Sequence, residues 1–269
     1  MSRKILIIDD HDDLATALTK EFTSLGYSVE SSHSRDEAVA IARDRTFDMV
    51  ITDLDGENLV DSDNLDGDEI ECLPNAVDST RSNIKAFKIC LANYGSTSFD
   101  EKEINHLVKT TLNYKAQFID RGEAILDRHE KIDFEVPSTI VLMHDILDYL
   151  MKRVEKLGVV SPEQSNLFVA LDEAFVNAVK HGNKYDTSKL VKISVEISPQ
   201  KASFTIEDEG EGFDVNSIPN PTDPENLFKT SGRGVMFIYN IMDEVSYNER
   251  GNRLTMIKKS ERDRSGSEV

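Results

Sequence analysis

Three strand-like runs near the start of the chain, at residues 4–8, 27–31 and 47–52, alternate with two stretches of helical period at 14–25 and 34–45. The first run, Ile5-Leu6-Ile7-Ile8, shows no polar alternation, as expected of a strand covered on both faces of a parallel sheet. Gly26 closes the first helix, and Ser34 with Glu37 opens the second at capping-box spacing. This βαβαβ alternation predicts a doubly wound α/β sheet, whose functional groups gather at the carboxyl ends of the strands. Asp9, Asp10 and Asp53 all fall at such ends. Three convergent carboxylates supply hard oxygen ligands of the kind that hold Mg²⁺.

At 269 residues the chain is long for one domain, and its 39% hydrophobic content lets both halves bury a core. The acidic excess is uneven, with a net charge of −13 over residues 1–130 and −6 over residues 131–269. Such a surface repels phosphate backbones, which argues against direct nucleic-acid binding. The run at residues 5–8 is too short for a signal peptide and ends at Asp9 and Asp10. No stretch approaches the ~20 apolar residues needed to span a membrane. The expectation is a soluble, cytoplasmic protein without a membrane partner. Only Cys72 and Cys90 occur, without metal-ligand spacing and with no visible disulfide framework.

The second half reads as a different α/β pattern. Residues 131–136 form a strand, and 138–157 a long helix closed by Gly158. A further helix opens with Ser161 at the N-cap, Pro162 at the first position and Gln164 completing the capping box, and runs to His181. It carries Glu173 and Asn177 one turn apart on one face. Alternating strands at 191–197 and 202–207 flank a Ser198-Pro199-Gln200 turn, and Asp208 ends the second of them. The order Glu173-x-x-x-Asn177, Asp208-x-Gly210-x-Gly212, Ser231-Gly232-Arg233-Gly234 follows, and an apolar helix and a hairpin through Gly251 and Asn252 close the fold. An asparagine can hold a hard cation, and a buried aspartate can accept from an adenine amino group. Glycine-rich turns bring backbone N–H groups against phosphates. These are the groups of an ATP–Mg²⁺ site. His181 either contacts phosphate or caps its helix, Phe213 is expected in the core, and residues 218–224 form a proline-rich loop.

Residues 1–121 resemble a two-component receiver domain. That resemblance implies that Asp9 and Asp10 hold Mg²⁺, that Asp53 is the phosphoacceptor, and that a histidine kinase acts upstream. The chain departs from the receiver pattern in three places. Thr97-Ser98 stands where receivers carry a lysine before the residue that is here Phe99. The hydroxyl expected after the fourth strand falls near Asn75, with Ser79 or Thr80 as alternatives. The stretch from Asp53 to Glu71 is lengthened and holds nine carboxylates and no base; it reads as a solvated acidic loop or a cation site. Residues 100–129 read as the last receiver helix continued into a connector through residue 130, serving as a relay, a homodimer seam or a packed surface helix.

Residues 131–260 resemble the GHKL ATPase superfamily and, within it, the anti-sigma factor serine kinases; residues 261–269 are expected to be a disordered tail. The resemblance implies an α/β sandwich using ATP and Mg²⁺. Asn177 would coordinate the metal and Asp208 the adenine amino group. Gly210 and Gly212 would shape the pocket, Gly232, Arg233 and Gly234 would line the triphosphate, and Glu173 would orient or deprotonate an attacking hydroxyl. His144 lies only 29 residues before Glu173 and lacks the Arg and Pro of a phosphoacceptor helix, so a hybrid histidine kinase is not expected. Two functions remain open. One is a protein serine/threonine kinase acting on an anti-sigma-factor antagonist, gated by the receiver. The other is a non-catalytic, ATP-dependent protein that sequesters a sigma factor or another partner beside a pseudo-receiver.

Overall fold

In a computed structural model, the structure describes residues 3–56, 72–73, 84–91, 99–120, 129–161, 166–215 and 233–260. The chain divides into two compact units, Met1–Val136 and Pro137–Val269.

The first unit contains β1 (Lys4–Asp9), α1 (Asp13–Ser24), β2 (Ser28–Ser32), α2 (Arg35–Asp44), β3 (Met49–Asp55), β4 (Ile84–Leu91), α3 (Glu101–Tyr114) and β5 (His129–Pro137). Its strands run in the order β2-β1-β3-β4-β5. β1 pairs in parallel with β2 and β3, as the continuous apolar runs require. Leu6, Ile8, Val50, Leu54, Ala86 and Cys90 pack on one face against Ala38 and Phe47. The alternate residues Ile5, Ile7, Met49 and Ile51 are equally buried, so both faces are covered. Ser34 caps α2 through the Glu37 N–H, as its spacing predicts.

The later strands depart from the all-parallel expectation. β4 runs antiparallel to β3, and β5 runs parallel to β4. The reversed direction carries Lys85 to the acidic carboxyl end of β3, where it pairs in register with Asp55. A parallel β4 would carry Lys85 to the opposite end of the sheet. The strand read at 131–136 is present as β5 and pairs in parallel with β4. Its buried residues Ile132, Phe134 and Val136 alternate, and Phe134 meets Phe87 edge to face at 6.3 Å between ring centroids. The connector helix read through residue 129 is shorter: α3 ends at Tyr114 in a π-turn at Lys115–Ile119, and His129 is already strand. Asp100 caps α3 in a capping box with Glu103. The two cysteines form a disulfide, Cys72–Cys90, with Cα atoms 5.4 Å apart. Their 18-residue separation gave no sign of it, because the contact depends on Cys72 and Leu73 returning to the core against α2.

The second unit contains α4 (Met143–Lys156), α5 (Leu167–Asn177), β6 (Leu190–Ile197), β7 (Lys201–Asp208), α6 (Arg233–Ile241), β8 (Glu244–Tyr247) and β9 (Arg253–Lys259). Its strands form an antiparallel sheet in the order β6-β7-β9-β8. Alternate residues of β6 and β7, among them Val191, Ile193, Val195, Phe204 and Ile206, are buried. The first turn expected of the long helix is irregular, and α4 begins at Met143. The predicted cap of α5 at Pro162 and Gln164, the acidic segment 57–71, Thr97-Ser98, the loop 218–224 and the tail 261–269 lie outside the described residues. Among the described residues no helix is long and apolar enough to cross a membrane.

Candidate functional site

α5 buries Leu167, Ala170, Leu171, Ala174 and Phe175, which leaves Glu173 and Asn177 on a half-buried flank. The helix then widens into a π-turn at Ala178–Gly182, closed by the Asn183 N–H on the Ala178 carbonyl at 2.8 Å. π-turns of this kind recur at functional sites. Here the widened turn carries His181 and Gly182 beside the end of β7.

Glu173, Asn177, His181, Asp208, Gly212 and Gly234 line one cavity of about 370 Å³, a volume within the range of small-ligand sites. Gly210 does not line the cavity but donates its N–H to Asp208 Oδ1 at 2.8 Å. Arg233 opens α6, whereas Gly232 lies outside the described residues. Sequence reasoning missed the roles of Gly182, Tyr247 and Asn252, which line the same cavity. It also placed Phe213 in the core, but Phe213 is 43% exposed, lines the cavity and meets Tyr247 edge to face at 5.3 Å. Its backbone follows the Gly212 turn, which holds the ring at the cavity rather than beneath the sheet.

Two close approaches explain why glycine stands where it does. A Cβ on Gly182 would lie 2.3 Å from Asp208 Cγ, so the bare backbone lets the carboxylate sit against the π-turn. A Cβ on Gly234 would lie 1.6 Å from Glu173 Oε1, so the first turn of α6 rests on the Glu173 carboxylate. Asn183, fully buried, ties the end of the π-turn to the start of β6 and the end of β7: its Oδ1 accepts from the Glu209 N–H at 2.9 Å and its Nδ2 donates to the Leu190 carbonyl at 2.9 Å. Burial pushes the Asp208 carboxyl above its ordinary value, while the Gly210 N–H favours the charged form. Its acceptor character is therefore lost on acidification sooner than that of an exposed carboxylate.

These residues fit an adenine nucleotide with a divalent cation. The cavity has room for a base beside the Asp208 carboxylate, an amide oxygen on Asn177, and the backbone N–H groups at the start of α6 for phosphate. Alanine at position 182 displaces Asp208, and nucleotide affinity is expected to fall by about tenfold or more. Titration calorimetry with ATP–Mg²⁺ checks this, and unchanged affinity would mean that Asp208 does not hold the base.

In the first unit, Asp9 and Asp53 stand side by side in the β1–β3 register, as expected. Each acidic group is engaged by protein. Asp9, 1% exposed, accepts from the N–H groups of His11 and Ala15 at 3.1 and 2.8 Å. Asp10 accepts from the Asp55 N–H at 2.8 Å and meets His11 Nδ1 at 2.8 Å. Asp53, 2% exposed, lies 2.8 Å from Lys115 Nζ and 3.8 Å from Lys85 Nζ, and Lys115 also reaches Asp120 at 3.1 Å. Burial pushes the Asp53 carboxyl up, and the two lysines work against it. The three ligand atoms that converge here belong to Asp10, His11 and Asp55 rather than to Asp9, Asp10 and Asp53. The receiver pattern expects its lysine before Phe99, whereas the cation against Asp53 is Lys115. The available signal was a cation inside the apolar stripe of Leu112, Phe118 and Ile119.

Residues 136–258 match the histidine kinase-like ATPase domain family. Serine-protein kinase RsbW of Staphylococcus epidermidis is 33% identical over 98 residues, which are 34% of this chain and 62% of that protein. The chain thus spans less than two thirds of that relative's length. Serine-protein kinase RsbW of Staphylococcus aureus (strain Newman) is 28% identical over 139 residues, 49% of this chain and 87% of that protein.

Proposed function

We propose that the second unit binds ATP–Mg²⁺ and phosphorylates a serine or threonine of a partner protein. One observation carries the reading: Glu173 holds its carboxylate against the first turn of α6, one helical turn from Asn177 and in the same cavity as Asp208. The match to the ATPase family and the similarity to two serine-protein kinases support it.

Each residue has a task that follows from its place. Asp208 accepts a hydrogen bond from the adenine amino group and orients the base. Asn177 offers its side-chain oxygen to the cation. The N–H groups at the start of α6 face phosphate oxygens, where the helix dipole also favours negative charge. Bound ATP–Mg²⁺ supplies the transferable γ-phosphoryl group and the charge that neutralises it. Glu173 accepts the proton of the incoming hydroxyl as its oxygen attacks phosphorus, and ADP leaves. Arg233 and Gly232 are assigned to the triphosphate in this reading, and His181, which lines the cavity, to a phosphate contact.

The partner in this proposal is an anti-sigma-factor antagonist, with a sigma factor as the protein released or retained. The first unit serves as a receiver-like input, with Asp53 as phosphoacceptor for an upstream histidine kinase. The Asp53–Lys115 pair favours a second reading of that unit, in which it is a pseudo-receiver that docks partners without phosphorylation.

Incubating the full chain with ATP–Mg²⁺ and the antagonist is expected to give phosphoserine or phosphothreonine on the antagonist, read by mass spectrometry. Formation of a stable ternary complex without transfer would overturn the kinase reading and leave sequestration.

A further inference from the structure

The turn between β8 and β9 was legible only as a hairpin, yet it is wired to the base-recognition residue. Asn248 Oδ1 accepts from the N–H groups of Gly251, Asn252 and Arg253 at 2.9, 3.1 and 3.1 Å, which closes the turn. Asn248 Nδ2 donates to Asn252 Oδ1 at 2.9 Å. Asn252 Nδ2 in turn donates to the Asp208 carbonyl at 2.7 Å, and the Asp208 N–H donates to the Asn252 carbonyl at 3.0 Å. Arg250 adds a second tie, from Nη2 to the Gly210 carbonyl at 2.7 Å, and its own carbonyl accepts from the Phe213 N–H at 3.1 Å. Asn252 is 6% exposed and lines the cavity.

The geometry points to Asn248 as a positioning residue for purine selection, acting through Asn252 on Asp208. The inference rests on the reading of the cavity as an ATP site. The relay fixes the direction in which the Asp208 backbone, and with it the carboxylate, enters the cavity. A carboxylate held there accepts from a 6-amino purine and repels the 6-oxo group of a hypoxanthine. A buried acceptor that meets the wrong group is left unpaired, and this is the arrangement that discriminates most sharply between near-isosteric ligands.

The plain structural role of Asn248, closing its turn, is separable from the relay by one substitution. Asn248→Asp keeps the oxygen that accepts from three N–H groups and replaces the donor to Asn252 by a charged acceptor oxygen. Asn252 can then satisfy the new carboxylate only by turning its own Nδ2 toward it. That takes the donor away from the Asp208 carbonyl and sets an oxygen against it.

The experiment measures the affinities of ATP–Mg²⁺ and ITP–Mg²⁺ for the full chain, wild type and Asn248→Asp, by titration calorimetry. Both nucleotides sample the same folded fraction, so their ratio is insensitive to partial unfolding. Wild type is expected to favour ATP by at least about a hundredfold. Asn248→Asp is expected to lower that ratio by about tenfold, through weaker ATP binding with ITP nearly unchanged. An unchanged ratio in Asn248→Asp, with wild type still selective, overturns the relay and leaves the ATP reading standing. A wild-type chain that binds neither nucleotide removes both.

Discussion

Glutamine at position 173 is expected to leave ATP–Mg²⁺ affinity within about twofold while slowing phosphoryl transfer by about 10² to 10⁴, the usual worth of a positioned general base. The two side chains have nearly the same size, so the glutamine still fits beneath Gly234, where a Cβ would leave no room. The capacity to take a proton from the attacking hydroxyl is lost. Some of the favourable field between the carboxylate and the α6 N-terminus is lost too, about 0.3–1 kcal/mol for such contacts. That change bears on folding more than on turnover. Parallel calorimetry and single-turnover transfer separate the two effects. Transfer at the wild-type rate would show that Glu173 is not the base, and loss of ATP binding would show that it supports the cavity instead.

Alanine at position 115 is expected to destabilise the first unit by about 3–5 kcal/mol, the range for removing one partner from a buried charge pair. Lys115 is 1% exposed and reaches both Asp53 and Asp120. Without it Asp53 and Asp120 lose the cation they share, while Lys85 stays 3.8 Å from Asp53. Denaturant unfolding followed by circular dichroism measures the loss. Adding Asn at position 53 to the alanine variant should restore part of it, since one of the stranded charges is then gone. A loss under about 1 kcal/mol would mean that the pair is solvated and dispensable. The same lysine sets the terms for the proposed input. Phosphorylation of Asp53 must displace or recruit Lys115, so a phosphorylated chain and an Asp53→Asn chain should differ in the environment of α3.

The start of the first unit was legible because continuous β-branched runs leave one choice, a covered parallel strand. β4 was not: the fourth strand is expected before Asn75, whereas the strand at Ile84–Leu91 is set by its non-local antiparallel pairing with β3, which brings Lys85 to Asp53 and Asp55. The alternation at 129–137 announces a strand but carries no record of its pairing with β4. In the second unit, Glu173, Asn177 and Asp208 were legible because helical period and strand end place them without help from distant segments. Their supports were not. Gly182 is meaningful only once the π-turn has brought it to Asp208, and Asn248 only once the hairpin has folded back on β7. Phe213 was assigned to the core by its apolarity, whereas the Gly212 turn holds it at the cavity mouth.

The most direct test incubates the full chain with γ-labelled ATP–Mg²⁺ and the antagonist partner, for wild type and Glu173→Gln under conditions where both bind ATP. Label on a serine or threonine of the partner with wild type, and its near absence with the variant, is the predicted result. Label that appears only on the chain itself, or on the partner equally with both proteins, contradicts it.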